Sequence, residues 1–430
     1  MASRLASQLI KLLRNTSLHP PEAGQVPSTQ FFAGARRGMP FGGGIALSWW
    51  FNDQSRSALN AAAALTTSAS PEFSDCDQET VTDVILATLQ EICVDSRIFL
   101  VDDLVFSQKP TLFDCVSQDI LTTAEFFSIR VQEALREKLG AFCTVFAVPR
   151  FVGSSFSVPG RGLHFAEKGD SSFIRSLAGK GFSLPDWWSD DPSVSDRIDP
   201  AVALPTSHES LLIIEGTGTR LGTHRAANLQ SREFFAVAFA AASAFSPYPF
   251  FRSMAQPFGY CTQFSHDTNT ETGFTRQDSD PIVPYYTGTV PVQRQTSMAI
   301  LDWYASLDRC DSAVASRIQK AAHFFNLGMN SKGTESYINY FVSLDALLGL
   351  RGSVENSIIE GLRKLAFDEE DVRRTKWLFE LRSELVHGGS RYIEEWTRYP
   401  GYVRHCKAHP INDVQKISQS ALLRAPSRLQ

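Results

Sequence analysis

The chain has 430 residues, 43% of them hydrophobic and 20% charged, and a formal net charge of −5. That length exceeds one ordinary core and predicts two or more domains. The composition excludes a disordered chain, and the acidic balance excludes a general nucleic-acid coat.

Met1 to Thr16 carries Arg4, Lys11 and Arg14, no acidic residue, and leucines at helical spacing. This suits a transit peptide superficially, but a secretory apolar core and a small-residue cleavage site are missing. A short amphipathic helix packing on its own chain is expected instead. Residues 1–78 read as an extended segment rich in Pro, Gly, Ala and Ser, with Pro20-Pro21, Gly42-Gly43-Gly44 and Ala61 to Ala64. Trp49-Trp50-Phe51 is the part expected to bury; were it exposed, it would mark a partner surface.

From Glu79 to Cys93, Val81, Val84, Ile85, Leu89 and Ile92 recur at helical spacing. A strand-like run from Arg97 to Val105 follows, then a helix over Ile120 to Leu139. Further on, short β-branched or aromatic runs alternate with turns: Thr144 to Val148, Leu211 to Ile214 and Val283 to Tyr286. One strong helix, Ser231 to Phe245, interrupts them. Its apolar stretch from Phe234 spans about a dozen residues, too short for a bilayer, so no membrane contact is expected. Asp186 to Ser195 and Asp267 to Asp280 read as polar loops. Residues 79–295 are thus expected to form an α+β domain of unknown function.

After Thr296 the pattern is helical alone, and residues 296–424 are expected to form a helical bundle. Met298 to Leu307 and Ala313 to Leu327 are helical, with Gly328 as the stop. Thr334 is the expected cap of the next helix, which buries Tyr337, Phe341, Leu344 and Leu348. Ser353 opens another through Ile358, Leu362 and Leu365. Asp368 and the acids after it suit the positive end of a further helix, whose core stripe is Leu378, Leu381 and Leu385. Gly388-Gly389 ends it, and a last helix covers Asn412 to Leu423. Residues 351–430 hold 14 Lys+Arg against 11 Asp+Glu, leaving 27 against 35 elsewhere, so any basic surface is local to the C-terminus.

Several motifs fail as sites. In Gly216-Thr217-Gly218-Thr219-Arg220-Leu221-Gly222 the third glycine comes one residue late for a dinucleotide fingerprint, and a turn is the better reading. The pairs Asp102-Asp103 and Asp190-Asp191 read as solvated or capping. His266-Asp267 could ligate a metal, but nothing nearby completes a set. The seven cysteines hold no Cys-x-x-Cys pair, which points to reduced thiols in a cytoplasmic protein and against structural zinc. No cofactor or metal is expected.

Arg382 and His387 are the remaining candidates. Their spacing alone carries no weight, since Arg14/His19 and Arg404/His409 share it. Context separates them, because only the pair at 382 and 387 lies late in a strongly periodic helix. At about 100° per residue from Leu378, Arg382 falls near 40°, inside the apolar arc, and His387 near 180°. An arginine in an apolar arc is costly unless its charge is matched. The match is either a neighbouring carboxylate, with Asp345 the obvious one, or a ligand's phosphate. A structural Arg–Asp pair with an unrelated surface histidine explains the pattern as well.

Ser336 to Leu348, with Asp345 followed by Ala346, Leu347 and Leu348, resembles the second core helix of Apea-like HEPN ribonuclease domains. Trp377 to Gly388, ending Arg382-Ser383-Glu384-Leu385-Val386-His387-Gly388, resembles the family segment that ends in Arg-Ser-x-x-Val-His-Gly. The resemblance covers about a quarter of the chain. It implies a metal-independent endoribonuclease, active as a homodimer through this domain, of the kind found in bacterial antiphage and toxin systems. His387 would act as general base or acid on the ribose, and Arg382 would stabilise phosphoryl charge. Ser383 would hold the polar place after the arginine, and Asp345, where such domains more usually have glutamate, would orient Arg382. The products would be a 2′,3′-cyclic phosphate and a 5′-hydroxyl. The N-terminal region would sense a trigger or restrain the nuclease. The rival expectations are a non-catalytic module for RNA or protein binding or dimerisation, and an enzyme in the N-terminal region that uses His266 and Asp267.

Overall fold

The computed structural model describes residues 3–22, 24–33, 45–178, 208–246, 249–253, 260–265, 270–276, 282–284 and 286–429. The chain divides into two compact units. The first comprises Met1–Phe142 and Gly216–Arg225, the second Cys143–Glu215 and Ala226–Gln430. The units therefore run across the change of composition near residue 296.

In the first unit, α1 (Arg4–Asn15) is capped by Ser3, whose hydroxyl accepts from the Ala6 amide at 3.1 Å, and it buries Leu5, Ala6, Leu9, Leu12 and Leu13. The amphipathic helix expected of the first sixteen residues is present. Residues 17–78 differ from the extended segment expected. Strands β1 (Thr16–Ser17), β2 (Thr29–Ala33) and β3 (Ile45–Phe51) form an antiparallel sheet in the order β1-β3-β2. Trp49 is fully buried with Phe31 edge-on at 4.8 Å, while Trp50 and Phe51 are half-buried. The alanine run lies in α2 (Asp53–Thr67), started by Asn52, whose side chain accepts from the Ser55 amide. Small residues read as loose, but alanine is the strongest helix former once a cap supplies the start.

Helix α3 (Gln78–Ile92) matches its expectation. The run from Arg97 is not a strand. Asp95 turns the chain by accepting from the Arg97 amide, Phe99 makes one bridge to Val116, and Val101–Val105 is a short helix, α4. Asp102 and Asp103 lie in its first turn. Helix α5 (Ile120–Arg136) closes the unit's core through Phe127, Val131 and Leu135.

The second unit holds most of β4 (Gly140–Val148), β5 (Phe151–Val152), β6 (Phe156–Val158), β7 (Leu163–Glu167), α6 (Ser171–Ala178) and most of β8 (Ser210–Gly218). Then come α7 (Arg220–Phe245), which enters this unit at Ala226, β9 (Tyr260–Ser265), β10 (Thr270–Arg276) and β11 (Val290–Pro291). Six strands form one sheet in the order β10-β9-β4-β8-β7-β6. Phe234, Phe235 and Val237 of α7 share a core with Phe146, Phe165, Leu212 and Ile214 on one sheet face. Ala166, Leu211 and Ile213 face the other way and pack with Leu177 of α6. That alternation follows from the two-residue period of a strand. Among the described residues, the strand expected over Val283 to Tyr286 shows a single bridge, between Arg252 and Tyr286; Pro284 has no amide to give a ladder.

Seven helices follow: α8 (Arg294–Leu307), α9 (Ser312–Asn330), α10 (Gly333–Leu348), α11 (Val354–Lys364), α12 (Glu369–Val386), α13 (Tyr399–Cys406) and α14 (Pro410–Arg428). The protein is thus α+β with a C-terminal helical region. Gly328 does not stop α9 as expected but lies inside it, where a β-carbon would strike the Tyr340 ring of α10. The cap position of α10 is Lys332, not Thr334, and it makes no side-chain cap bond. Ser336 instead ties the helix pair by donating to the Gly328 carbonyl at 2.7 Å. Helix α13 lies in a stretch for which the sequence carried no expectation; its Pro400 sits in the first helical turn, where proline is tolerated. Among the described residues no helix is long and apolar enough to cross a membrane.

Candidate functional site around Arg382

Helix α12 sets the position of the candidate residues. Asp368 caps its start by accepting from the Asp371 amide at 2.8 Å, and Glu369, Glu370 and Asp371 occupy the positive first turn. Leu378 and Leu381 are fully buried, and Leu385 is half-buried. The far end is closed at Gly388, whose φ of 78° is left-handed. There the His387 amide donates to the Ser383 carbonyl and the Gly389 amide to Glu384.

Arg382 is half-buried beside α10. Its charge acts on both Tyr337 and Asp345. Burial raises the Asp345 carboxyl above the usual carboxylate range, and Arg382 draws it only partly back. Among the described residues, Arg382 has no ion pair within 4.0 Å and no hydrogen bond, so it and Asp345 are electrostatic neighbours without direct contact. One Asp345 oxygen lies instead against the α-carbon of Gly349, where a β-carbon would displace it. Tyr337 is fully buried and its hydroxyl donates to the Leu378 carbonyl at 2.5 Å, fixing α10 against α12 one turn from Arg382. Sequence periodicity marked Tyr337 as core; its nearness to the arginine needed the helix packing.

Ser383 is half-buried, and His387 is exposed at the end of α12. Five residues of helix separate Arg382 from His387 by about 140° in azimuth and about 7.5 Å along the axis. One chain therefore brings Arg382 and Asp345 together but does not bring His387 to them. Val386, one turn beyond Arg382, is 47% exposed, and Leu350, next to Gly349, is 56% exposed.

The other Arg/His pairs of equal spacing are engaged otherwise. Arg14 stacks on Phe113 at 4.5 Å, and His409 accepts from the Ile411 amide and meets Glu394 at 3.2 Å. The glycine-rich turn is also occupied. Thr219 donates to an Asp77 carboxylate oxygen at 2.7 Å, its amide donates to the Asp75 carbonyl, and that carbonyl sits where a β-carbon of Gly218 or Gly222 would be. These glycines thus serve a close backbone approach. His266, Asp267, Asp190 and Asp191 lie outside the described residues. No family model matches the chain, and neither a curated protein nor a solved structure matches it.

Proposed function

We propose that the protein is a metal-independent endoribonuclease, an effector of the antiphage or toxin type. In this reading the C-terminal helices form an HEPN-like bundle, two copies pair through it, and the N-terminal region senses a trigger or restrains the nuclease. The observation that carries the reading is Arg382: a half-buried arginine beside a carboxylate, yet without an ion-pair partner among the described residues. Such a charge is costly in a protein alone and is offset by a phosphate. The motif from Arg382 to Gly388 supplies the rest of the support.

Because Arg382 and His387 point apart on one helix, a phosphodiester that meets both needs the α12 ends of two copies. Exposed Val386 and Leu350 supply apolar surface for that pairing. His387 of one copy removes the 2′-hydroxyl proton, the freed oxygen attacks phosphorus, and the 5′-oxygen leaves with a proton from the second imidazole. Arg382 neutralises the charge that builds on the phosphoryl oxygens. The same exposed residues also fit a second reading, a dimerisation module that binds RNA without cutting it.

Purified protein incubated with total RNA in EDTA tests this. Cleavage is expected, and His387→Ala and Arg382→Ala should each abolish it while the oligomeric state in light scattering stays that of wild type. Cutting that survives both substitutions sinks the site. Binding without cutting by the wild type, across a panel of RNAs and triggers, favours the dimerisation module.

A further inference from the structure

One group of polar side chains in the second unit is independent of α12. Ser157 on β6, His164 on β7 and Glu215 on β8 come from three adjacent antiparallel strands. The register pairs Ser157 with His164 directly and His164 with Ile213, so Glu215 lies two residues along on the same face. Ser157 Oγ is 2.8 Å from His164 Nδ1, and His164 Nε2 is 3.2 Å from Glu215 Oε1. The second contact is off hydrogen-bond alignment, as such contacts often are before substrate binds. With the imidazole proton on Nε2, both contacts are favourable at once: Nδ1 accepts from the serine, and Nε2 donates toward the carboxylate.

The surroundings make this array expensive as a packing device. The same face carries Cys143, Val145, Ala147, Ala166, Leu211 and Ile213. His164 is 4% exposed, whereas Ser157 is only half-buried and stands on the edge strand. Burial, helped by the Glu215 charge, pushes the Cys143 thiol up, which keeps that neighbour protonated and unreactive. A half-buried hydroxyl, a buried imidazole next to it and a carboxylate on the imidazole's far side is the order a nucleophile, base and orienting group require.

The geometry points to a second active site: a Ser157–His164–Glu215 relay that hydrolyses an acyl ester through a serine-bound intermediate. Ser157 Oγ gives its proton to His164 and bonds to the acyl carbon. The ester's alkoxide departs with that proton. Water then attacks the acyl-serine, its proton passes to His164, and the acyl–Oγ bond breaks as Ser157 regains a proton. Ser157 and His164 are the catalytic residues, and Glu215 is a positioning residue.

The test uses the full chain with a fluorophosphonate probe, which forms an Oγ–P bond and expels fluoride, and p-nitrophenyl butyrate as the ester. Mass spectrometry should find the adduct on Ser157, and ester hydrolysis should disappear in Ser157→Ala. His164→Asn should slow labelling by on the order of 100-fold or more. Glu215→Gln should slow it less and move the pH midpoint of labelling downward, a change that mere loss of packing does not produce. Arg382→Ala and His387→Ala should leave labelling untouched, so this proposal and the nuclease stand or fall separately. A wild type that takes no label, labels at another serine, or keeps its Ser157 labelling rate in a folded His164→Asn variant overturns the relay.

Discussion

Arg382 is half-buried, and Asp345 is not close enough to match its charge by direct contact. Arg382→Met, which keeps the apolar stem, should therefore change unfolding free energy by less than about 1 kcal/mol, or raise it, while abolishing RNA cleavage. A loss of about 3 kcal/mol in denaturant melts would identify a structural pair with Asp345 instead. Glu233 on α7 gives a pH signature. It is 4% exposed, and burial lifts its carboxyl to about 7 against the pull of Arg161. The folded state thus holds a proton that the unfolded state releases near the ordinary value of 4.5. Stability from this group is complete below about pH 4.5 and is lost as pH rises to about 7, on the order of 3 kcal/mol in all. Glu233→Gln should remove that fall from the melting curve measured against pH; an unchanged slope would show that Glu233 ionises freely in the fold. Of these residues the sequence marked Arg382 and Asp345, because both lie in apolar stripes. It was silent on Glu233, whose environment is made by Arg161 and Tyr304 from distant segments.

Helix α12 depends on its two ends as much as on its buried leucines. Asp368→Ala removes the cap and should cost about 1 kcal/mol. Gly388→Ala forces a β-carbon into a left-handed conformation and should also cost about 1 kcal/mol. The two differ in consequence, because only Gly388 adjoins His387. Under the nuclease reading, Gly388→Ala should lower RNA cleavage more than Asp368→Ala at equal stability, and comparable losses would separate His387 placement from activity. Both ends were readable from the chain, as were α3, α5 and the core stripes of α10 and α12, since caps and a 3.6-residue period are local properties. Helices α2 and α4 ran against expectation, because alanine runs and β-branched residues each carry two local meanings that tertiary packing decides.

Each compact unit has its own buried core, one built on α1, α2, α3 and α5, the other on α7, the large sheet and the C-terminal helices. Residues 216–225 belong to the first unit although both flanks belong to the second. No composition change marks that excursion; what fixes it is a tight backbone approach that only glycine allows. At Gly218 and Gly222 the Asp75 carbonyl occupies the space of a side chain, and Thr219 bonds to Asp77, which itself caps α3 through the Thr80 amide. Gly222→Ala must push two backbone segments apart, at a cost of about 2 kcal/mol or more. Because those contacts lie within the first unit, calorimetry should show two transitions with only one moved to lower temperature. Hydrogen exchange would identify the weakened part, with α3 amides losing protection while α10 and α12 keep theirs. A single transition that moves as a whole would mean the two cores unfold together. A shortened chain beginning at Cys143 would then fail for the same reason, because it strands 216–225 without Asp75 and Asp77.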